Sequence, residues 1–177
     1  MSAQAPVTTA LSQGPCPSLP RLGARYLGEY LDKIRHAVHQ LDEARVWRRP
    51  EAGVNSIGNL LLHLKGNLSL WIGQGLGGRV YERDRAGEFL ADGSHGRGEL
   101  FEALAETVAH CQWVLEQEDS ERLAETVEVQ GYTSDRMGVI FHAVEHMSYH
   151  TGQILTLTKQ LLGPHHGIEF YPQHGDE

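Results

Sequence analysis

The strongest constraint on the fold lies in residues 134–162, where a long helical pattern carries histidines at intervals of four residues. His142, His146 and His150 fall on one stripe of such a helix, since four residues make one turn plus about 40°. Apolar residues recur around this stripe, which predicts a helix that is buried along much of its length. The pattern ends at Gly163-Pro164, a pair that commonly stops a helix.

Histidines at this spacing are candidate metal ligands. Two imidazoles four residues apart on one helix face can converge on a single ion. The spacing alone is weak evidence, because a chain with 11 histidines holds about one such pair by chance. A further histidine, His63, lies in the middle of the other strongly apolar helical run. Taken alone, a histidine flanked by leucines is usually a core residue with its hydrogen bonds satisfied, and this alternative stays open.

Composition excludes several classes of protein. The chain has 177 residues, which suits one well-formed core and is short for two domains. The formal net charge of −8 argues against a nucleic-acid partner. No apolar run approaches a membrane span, residues 1–20 lack the pattern of a secretory signal, and we expect no membrane partner. The cysteines, Cys16 and Cys111, are not expected to form a disulfide, and we expect a cytoplasmic protein.

Periodicity predicts an all-α fold, an antiparallel four-helix bundle with long loops between helices 2 and 3 and between helices 3 and 4. Asn55 or Ser56 is predicted to cap the second helix, and Thr133 or Ser134 the last. Residues 126–130 alternate like a short extended segment. We expect a disordered leader at residues 1–18, a single domain at 19–165 and a tail at 166–177. The four predicted helices span residues 22–46, 55–73, 97–117 and 134–162.

Helices 2 and 4 of such a bundle can face each other. His63 would then lie at the same depth as His146 and His150. Three histidines leave one coordination position open for water or substrate, which is typical of a catalytic rather than a structural zinc-type site.

Two segments resemble a known superfamily. The segment His146-Met-Ser-Tyr-His150-Thr-Gly-Gln153 is similar to the signature near the end of the DinB-like (YfiT-like) metalloenzyme superfamily, the damage-inducible helical-bundle proteins. The stretch Asn55–Leu64, which contains His63 and is followed by Gly66-Asn67 and Trp71, resembles the second-helix half of that pattern. The resemblance covers roughly residues 20–165 and implies that His63, His146 and His150 bind one divalent metal ion.

The charged run Glu82-Arg83-Asp84-Arg85 lies in the long connection between helices 2 and 3. A run of mixed charges is usually a solvated surface. The alternative is that the opposite signs form internal ion pairs that pin the loop, although exposed pairs of this kind are individually worth little. Arg83-Asp84-Arg85 with Glu88-Phe89 is also similar to a branch of the superfamily whose function is unknown.

The resemblance also implies a chemistry. Members of the superfamily include transferases and isomerases that use low-molecular-weight thiols such as bacillithiol or mycothiol. A thiol S-transferase with a small-molecule substrate is therefore implied, in which the metal activates the thiol. A hydrolase in which the metal activates water fits the same ligands. Nickel or zinc is the expected ion, since imidazole ligation disfavours magnesium and calcium. We expect occupancy to fall as the pH drops through about 6.5, where imidazoles gain protons.

The alternative is a non-catalytic metal-binding helical protein that acts in stress response or sensing. A fourth protein ligand would favour it. His142, one turn before His146, is one candidate for that ligand, although its expected place is beside a ligand ring. The others are the tail histidines His165, His166 and His174.

Two amides are candidates for the surroundings of the site. Gln153 lies one turn after His150 and can bind substrate or orient a ligand ring. Asn67, one turn after His63, is a candidate of the same kind. Trp71, Trp113 and the apolar faces of helices 1 and 3 exceed the needs of one small core, and we therefore predict a homodimer.

Overall fold

The computed structural model describes residues 17–164. A π-helical turn at Ser69–Gln74 continues α3, and a single 3₁₀ turn lies at Ser120–Arg122. The predicted leader and tail fall almost wholly outside the described residues, together with Cys16, His165, His166 and His174. The α-helices and strands are α1 (Leu19–Val38), α2 (Glu43–Trp47), α3 (Ile57–Leu68), α4 (Arg85–Leu90), α5 (Arg97–Gln117), β1 (Thr126–Val129), β2 (Tyr132–Asp135) and α6 (Arg136–Leu162).

The four longer helices build one core. α1 packs against α5 and α6, and α3 packs against the same two helices. Ten of the twelve residues of α3 are buried, and His63 is one of them. The prediction of a helical fold is confirmed in this coarse form, although a small two-stranded sheet is added to it. Within residues 17–164, no helix has both the length and the apolar character that crossing a membrane requires.

The predicted first helix is in fact two helices. α1 ends at Val38, and the side chain of Asp42 accepts a hydrogen bond from the Arg45 backbone N–H at 2.8 Å. This cap starts α2. A single helix over residues 22–46 is therefore wrong, because a local capping side chain competes with continuation of the helix.

The predicted second helix begins as expected. Ser56 and Asn59 form a reciprocal capping box at the start of α3. The Asn59 amide also donates to the backbone carbonyls of Glu88 and Ala91, both at 2.9 Å. These two bonds hold α4 against α3, so the long connection after α3 contains a helix and is not simply a loop.

A hairpin sets the start of α6. Gln130 and Gly131 have φ angles of 55° and 78° and form the two-residue turn that twisted hairpins favour. Asp135 ends β2 opposite Thr126, and its side chain accepts from the Gly138 N–H at 2.6 Å. The predicted extended segment is confirmed as β1, but neither Thr133 nor Ser134 caps the last helix, because both lie in β2.

The two tryptophans behind the homodimer prediction differ in exposure. Trp71 is buried in the core, whereas Trp113 on α5 is 58% exposed. Only Trp113 therefore supports a surface for a second copy of the chain, and the homodimer stays a prediction.

Candidate metal centre

Two helices bring the three predicted ligands together. His63 comes from α3, and His146 and His150 come from α6. One ring nitrogen from each lies within 4.8 Å of the others, and the Nε2 atoms of His63 and His146 are 3.0 Å apart. His63 is 5% exposed and His146 is half-buried. Within residues 17–164, no fourth histidine, cysteine or carboxylate joins this group.

The His63 ring is held by a carboxylate. Its Nδ1 lies 3.0 Å from Glu88 Oε2, and Glu88 is itself bound by Arg83, with Nε–Oε1 at 2.6 Å and Nη2–Oε2 at 2.8 Å. Arg83 Nη2 also lies 3.0 Å from His63 Nδ1, but a guanidinium can only donate and its better acceptor is the carboxylate. We therefore assign the proton of His63 to Nδ1, which donates to Glu88. The Nε2 lone pair then faces the other two histidines.

Gly66 gives this carboxylate access to His63. A Cβ atom at residue 66 would clash with Glu88 Oε1 and lie 2.8 Å from Arg83 Nε. The Glu88–Arg83 pair therefore packs directly on the backbone of α3, one turn after His63. A larger residue would displace the pair from the site.

The expectation that the charged run is solvated surface is wrong for Arg83. The side chains of Arg83 and Glu88 are 6% and 8% exposed, and they form a buried ion pair behind His63. The other three residues of the run, Glu82, Asp84 and Arg85, are exposed as expected, and Asp84 caps α4 through the Gly87 N–H. The sequence pointed to Glu88 only through the resemblance of its surrounding motif, and Glu88 was missed as a residue of the site.

The His150 ring is held by an amide. Its Nδ1 lies 2.7 Å from Gln153 Oε1. Because this oxygen only accepts, the proton of His150 lies on Nδ1 and its Nε2 lone pair is free. The structure thus places Gln153 where it orients a ring of the predicted triad.

His142 lies beside the group and outside it. Its ring centroid is 4.0 Å from that of Trp71 and 5.4 Å from that of His146. Its Nε2 is 3.5 Å from Asn67 Nδ2. Asn67 is only 4% exposed, yet its Oδ1 is buried without a protein hydrogen-bond partner. A buried orphan acceptor of this kind is satisfied by a water or ligand donor.

Electrostatics favour the neutral forms of His146 and His150. Burial, together with positive charge on His150 and His63, lowers the pKa of His146 to about 3. Burial also lowers the pKa of His150, although the bond to Gln153 opposes this effect. Burial would raise the pKa of Glu88, but the hydrogen bonds from His63 and Arg83 outweigh it and lower that pKa. At neutral pH the His146 and His150 rings are therefore neutral and the Glu88 carboxylate is ionised, the forms that metal binding requires.

A cavity of about 690 Å³ adjoins His150. Gln153 is shared between the cavity wall and the His150 ring, and Gly152 on α6 has open space where a side chain would begin. The lining residues come from the segment before α3, from α3 and from α6: Gly53, Val54, Asn55, Leu60, Tyr149, Gly152, Gln153, Thr156 and Leu157.

Comparison with known sequences gives one family. A family model described as "Protein of unknown function (DUF1572)" matches residues 24–168. No curated protein matches the chain.

Solved structures share the fold at low identity. A conserved protein from Enterococcus faecalis aligns with a TM-score of 0.69 and 16% identity, over 84% of this chain and 100% of that one. A DinB-like protein from Bacillus cereus aligns with a TM-score of 0.63 and 12% identity, over 78% and 89% of the two chains. The DinB-like protein YjoA from Bacillus subtilis gives 0.63 and 14%, over 81% and 94%. At these identities, the likeness shows the fold alone.

Proposed function

The chain belongs to the DinB-like family DUF1572, whose function is unknown, and we propose that it is a metal-dependent enzyme whose ion is held by His63, His146 and His150. The observation that carries the proposal is the convergence of three imidazoles, each with a ring nitrogen within 4.8 Å of the others. Two of them have the proton committed to Nδ1 by Glu88 and Gln153, so their Nε2 lone pairs are available.

The donor set fits nickel or zinc. Three imidazole nitrogens suit these borderline ions, whereas magnesium and calcium prefer oxygen ligands. When bound, such an ion lowers the pKa of a thiol or water and polarises a substrate.

The residues around the triad have separate tasks in this proposal. Glu88, kept ionised by Arg83, orients His63 and makes its ring a stronger donor to a metal. Gln153 orients His150 without adding charge. The orphan Oδ1 of Asn67 accepts a hydrogen bond from a polar group of the substrate.

Two observations favour an enzyme over a non-catalytic metal-binding protein. The described residues supply no fourth ligand, and His142 is directed toward Asn67. A cavity of ligand size also adjoins His150. As the reaction we propose S-transfer from a low-molecular-weight thiol to a small-molecule substrate, which the superfamily resemblance supports. Hydrolysis is the alternative.

Metal analysis tests the site. The full chain and its His63→Ala, His146→Ala, His150→Ala and His142→Ala variants are loaded with nickel or zinc and dialysed against a weak chelator. We expect loss of bound metal in the first three variants and retention in His142→Ala. The tail variants His165→Ala and His174→Ala test whether a tail histidine joins the site. Full occupancy in His63→Ala with loss in His142→Ala would show the assignment to be wrong.

Turnover tests the enzyme. The metal-loaded and metal-free proteins are compared with a low-molecular-weight thiol and the electrophile 1-chloro-2,4-dinitrobenzene, and separately with ester substrates. We expect metal-dependent thioether formation. Ester cleavage alone would favour the hydrolase, and no metal-dependent turnover with either substrate class would support the sensing protein.

We also propose that the protein forms a homodimer, with the exposed Trp113 in its interface. Solution scattering of the wild-type chain should give a dimer mass, and Trp113→Glu should give a monomer mass. A wild-type monomer contradicts the proposal.

A further inference from the structure

We propose that the cavity beside His150 binds an electrically neutral small molecule that has an apolar body and a hydrogen-bond acceptor such as a carbonyl oxygen. The inference rests on the proposed function in one respect, that this molecule is the substrate of the metal centre. The volume of the cavity, about 690 Å³, lies within the range of roughly 300–1,000 Å³ that small-molecule sites occupy.

The cavity wall selects against charge. Among residues 17–164, its lining contains no Asp, Glu, Lys, Arg or His side chain. An ion placed there would lose part of its hydration without gaining an opposite charge, which is costly. A thiol cofactor with ionised carboxylates is therefore a poor occupant of this cavity, and the cavity is left to the other reactant.

The polar anchor of the cavity is a donor. Gln153 Oε1 accepts from His150 Nδ1 at 2.7 Å, so the NH₂ group of the same amide is the part of Gln153 that is left for a ligand. This group can donate to a carbonyl oxygen of the ligand. The same side chain orients His150, so a ligand bound here contacts the support of the metal centre directly.

The apolar body has a matching surface. Leu60 lies on α3 one turn before His63, and Leu157 lies on α6 one turn after Gln153. The Tyr149 ring lies beside His150, with their centroids 5.0 Å apart. A ligand along this wall therefore has its polar end at Gln153 and its body against leucine and tyrosine side chains.

The charge preference is tested with three probes of nearly equal shape. Phenylacetamide, phenylacetate and 2-phenylethylammonium are titrated into the metal-loaded full chain and followed by NMR. We expect phenylacetamide to bind in the millimolar range or tighter, at least about tenfold more tightly than either ion. Binding of either ion as tight as that of the amide, or no binding of phenylacetamide, overturns the inference.

Two glycine variants locate the binding. Gly152 and Gly98 are both exposed helical glycines with nothing within 4 Å of a built Cβ, but only Gly152 lines the cavity. Gly152→Leu should weaken phenylacetamide binding about tenfold or more and leave metal content unchanged, whereas Gly98→Leu should change neither. Equal binding by wild type and Gly152→Leu overturns the inference. Both substitutions raise helix propensity, so folding is not at risk.

A third variant introduces a charge into the cavity. Thr156→Lys should shift the binding preference from phenylacetamide to phenylacetate, because the introduced side-chain ammonium group gives the carboxylate an opposite charge. An unchanged preference counts against the inference. Binding of phenylacetamide that is sensitive to Gly152→Leu, in a protein that holds no metal, would overturn the proposed function and leave the cavity assignment standing. Metal binding in a protein that does not bind phenylacetamide in this way would overturn the cavity assignment and leave the proposed metal site standing.

Discussion

The two supported histidines of the site are held in different ways. His63 donates to Glu88, which is clamped by Arg83 in a pair that is almost fully buried. His150 donates to Gln153, a neutral side chain at the wall of an open cavity. In both bonds the ring proton lies on Nδ1, which leaves the Nε2 lone pair available. Only the bond to Glu88 places a charge behind the ring.

This difference separates two tasks that a metal site must combine. A carboxylate behind an imidazole fixes its orientation and strengthens it as a ligand, while an amide only fixes its orientation. The support of His63 by Glu88 and Arg83 is costly to disturb because its charges are buried. The support of His150 by Gln153 is uncharged and can be reached by a ligand. We therefore expect metal affinity to depend mainly on the His63 support and the response to a bound ligand on the His150 support.

The largest effect should come from breaking the buried ion pair. Arg83→Met leaves Glu88 buried without its cation, and we expect a loss of about 3 kcal/mol in the free energy of unfolding. This is the lower end of the usual range, because Glu88 also lines a surface cavity through which water can approach. Urea unfolding of metal-free protein measures it. Arg85→Met, at an exposed neighbouring position, should change stability by no more than about 0.5 kcal/mol, and equal losses would contradict the assignment.

Removing only the charge behind His63 should act on the metal. Glu88→Gln should weaken metal binding toward 100-fold, the upper end of the range of about 10–100-fold for partners of ligand rings. Isothermal titration calorimetry with zinc measures it. The control is Glu99→Gln, because Glu99 makes the same 3.0 Å contact with His95, a partly exposed histidine that is not one of the three predicted ligands. Unchanged affinity in Glu88→Gln would show that the carboxylate does not tune the site.

Loss of the amide behind His150 should have a smaller effect. Gln153→Met removes the acceptor without removing a charge, and we expect metal affinity to fall about tenfold with unfolding free energy nearly unchanged. Gln160→Met, on an exposed position of α6, serves as the control. A loss as large as that in Glu88→Gln would remove the distinction between the two supports.

The smallest effect should be a pH dependence of the metal-free protein. The pKa of His146 is about 3 in the folded chain and about 6.5 when unfolded, so the unfolded state binds more protons between these values. Unfolding free energy should therefore fall as the pH drops from 6.5, and His146→Asn should flatten this slope. Thermal melts at pH 7 and pH 5.5 measure it.

Metal occupancy should accordingly persist below the pH of about 6.5 that free imidazoles suggest, and a midpoint at 6.5 would contradict the lowered pKa.

Local signals account for what the sequence predicts well. The bounds of α5 and the end of α6 at Gly163 follow from apolar periodicity and a glycine stop. The break after α1 and the strand β2 were missed for a different reason. The break after α1 depends on the Asp42 cap, and β2 depends on its pairing with β1 across the hairpin. Neither local interaction shows in the pattern of apolar residues.

The site divides in the same manner. His63, His146 and His150 could be proposed because two helical patterns and a motif carry them. Arg83 and Glu88 could not, since adjacent charges in a connection usually face water. Their burial depends on the packing of α4 against α3, which no local pattern of the chain encodes.

Asp135 belongs to two elements at once, ending the hairpin and capping α6. The hairpin thereby fixes the direction in which each side chain of α6 points around the helix axis. One residue inserted just after Asp135 would turn everything downstream by about 100° and carry His146 and His150 away from His63. An insertion at the hairpin tip, Gln130-Gly131, would leave the directions of the α6 side chains unchanged. Length changes should therefore be tolerated at the tip and forbidden only a few residues later.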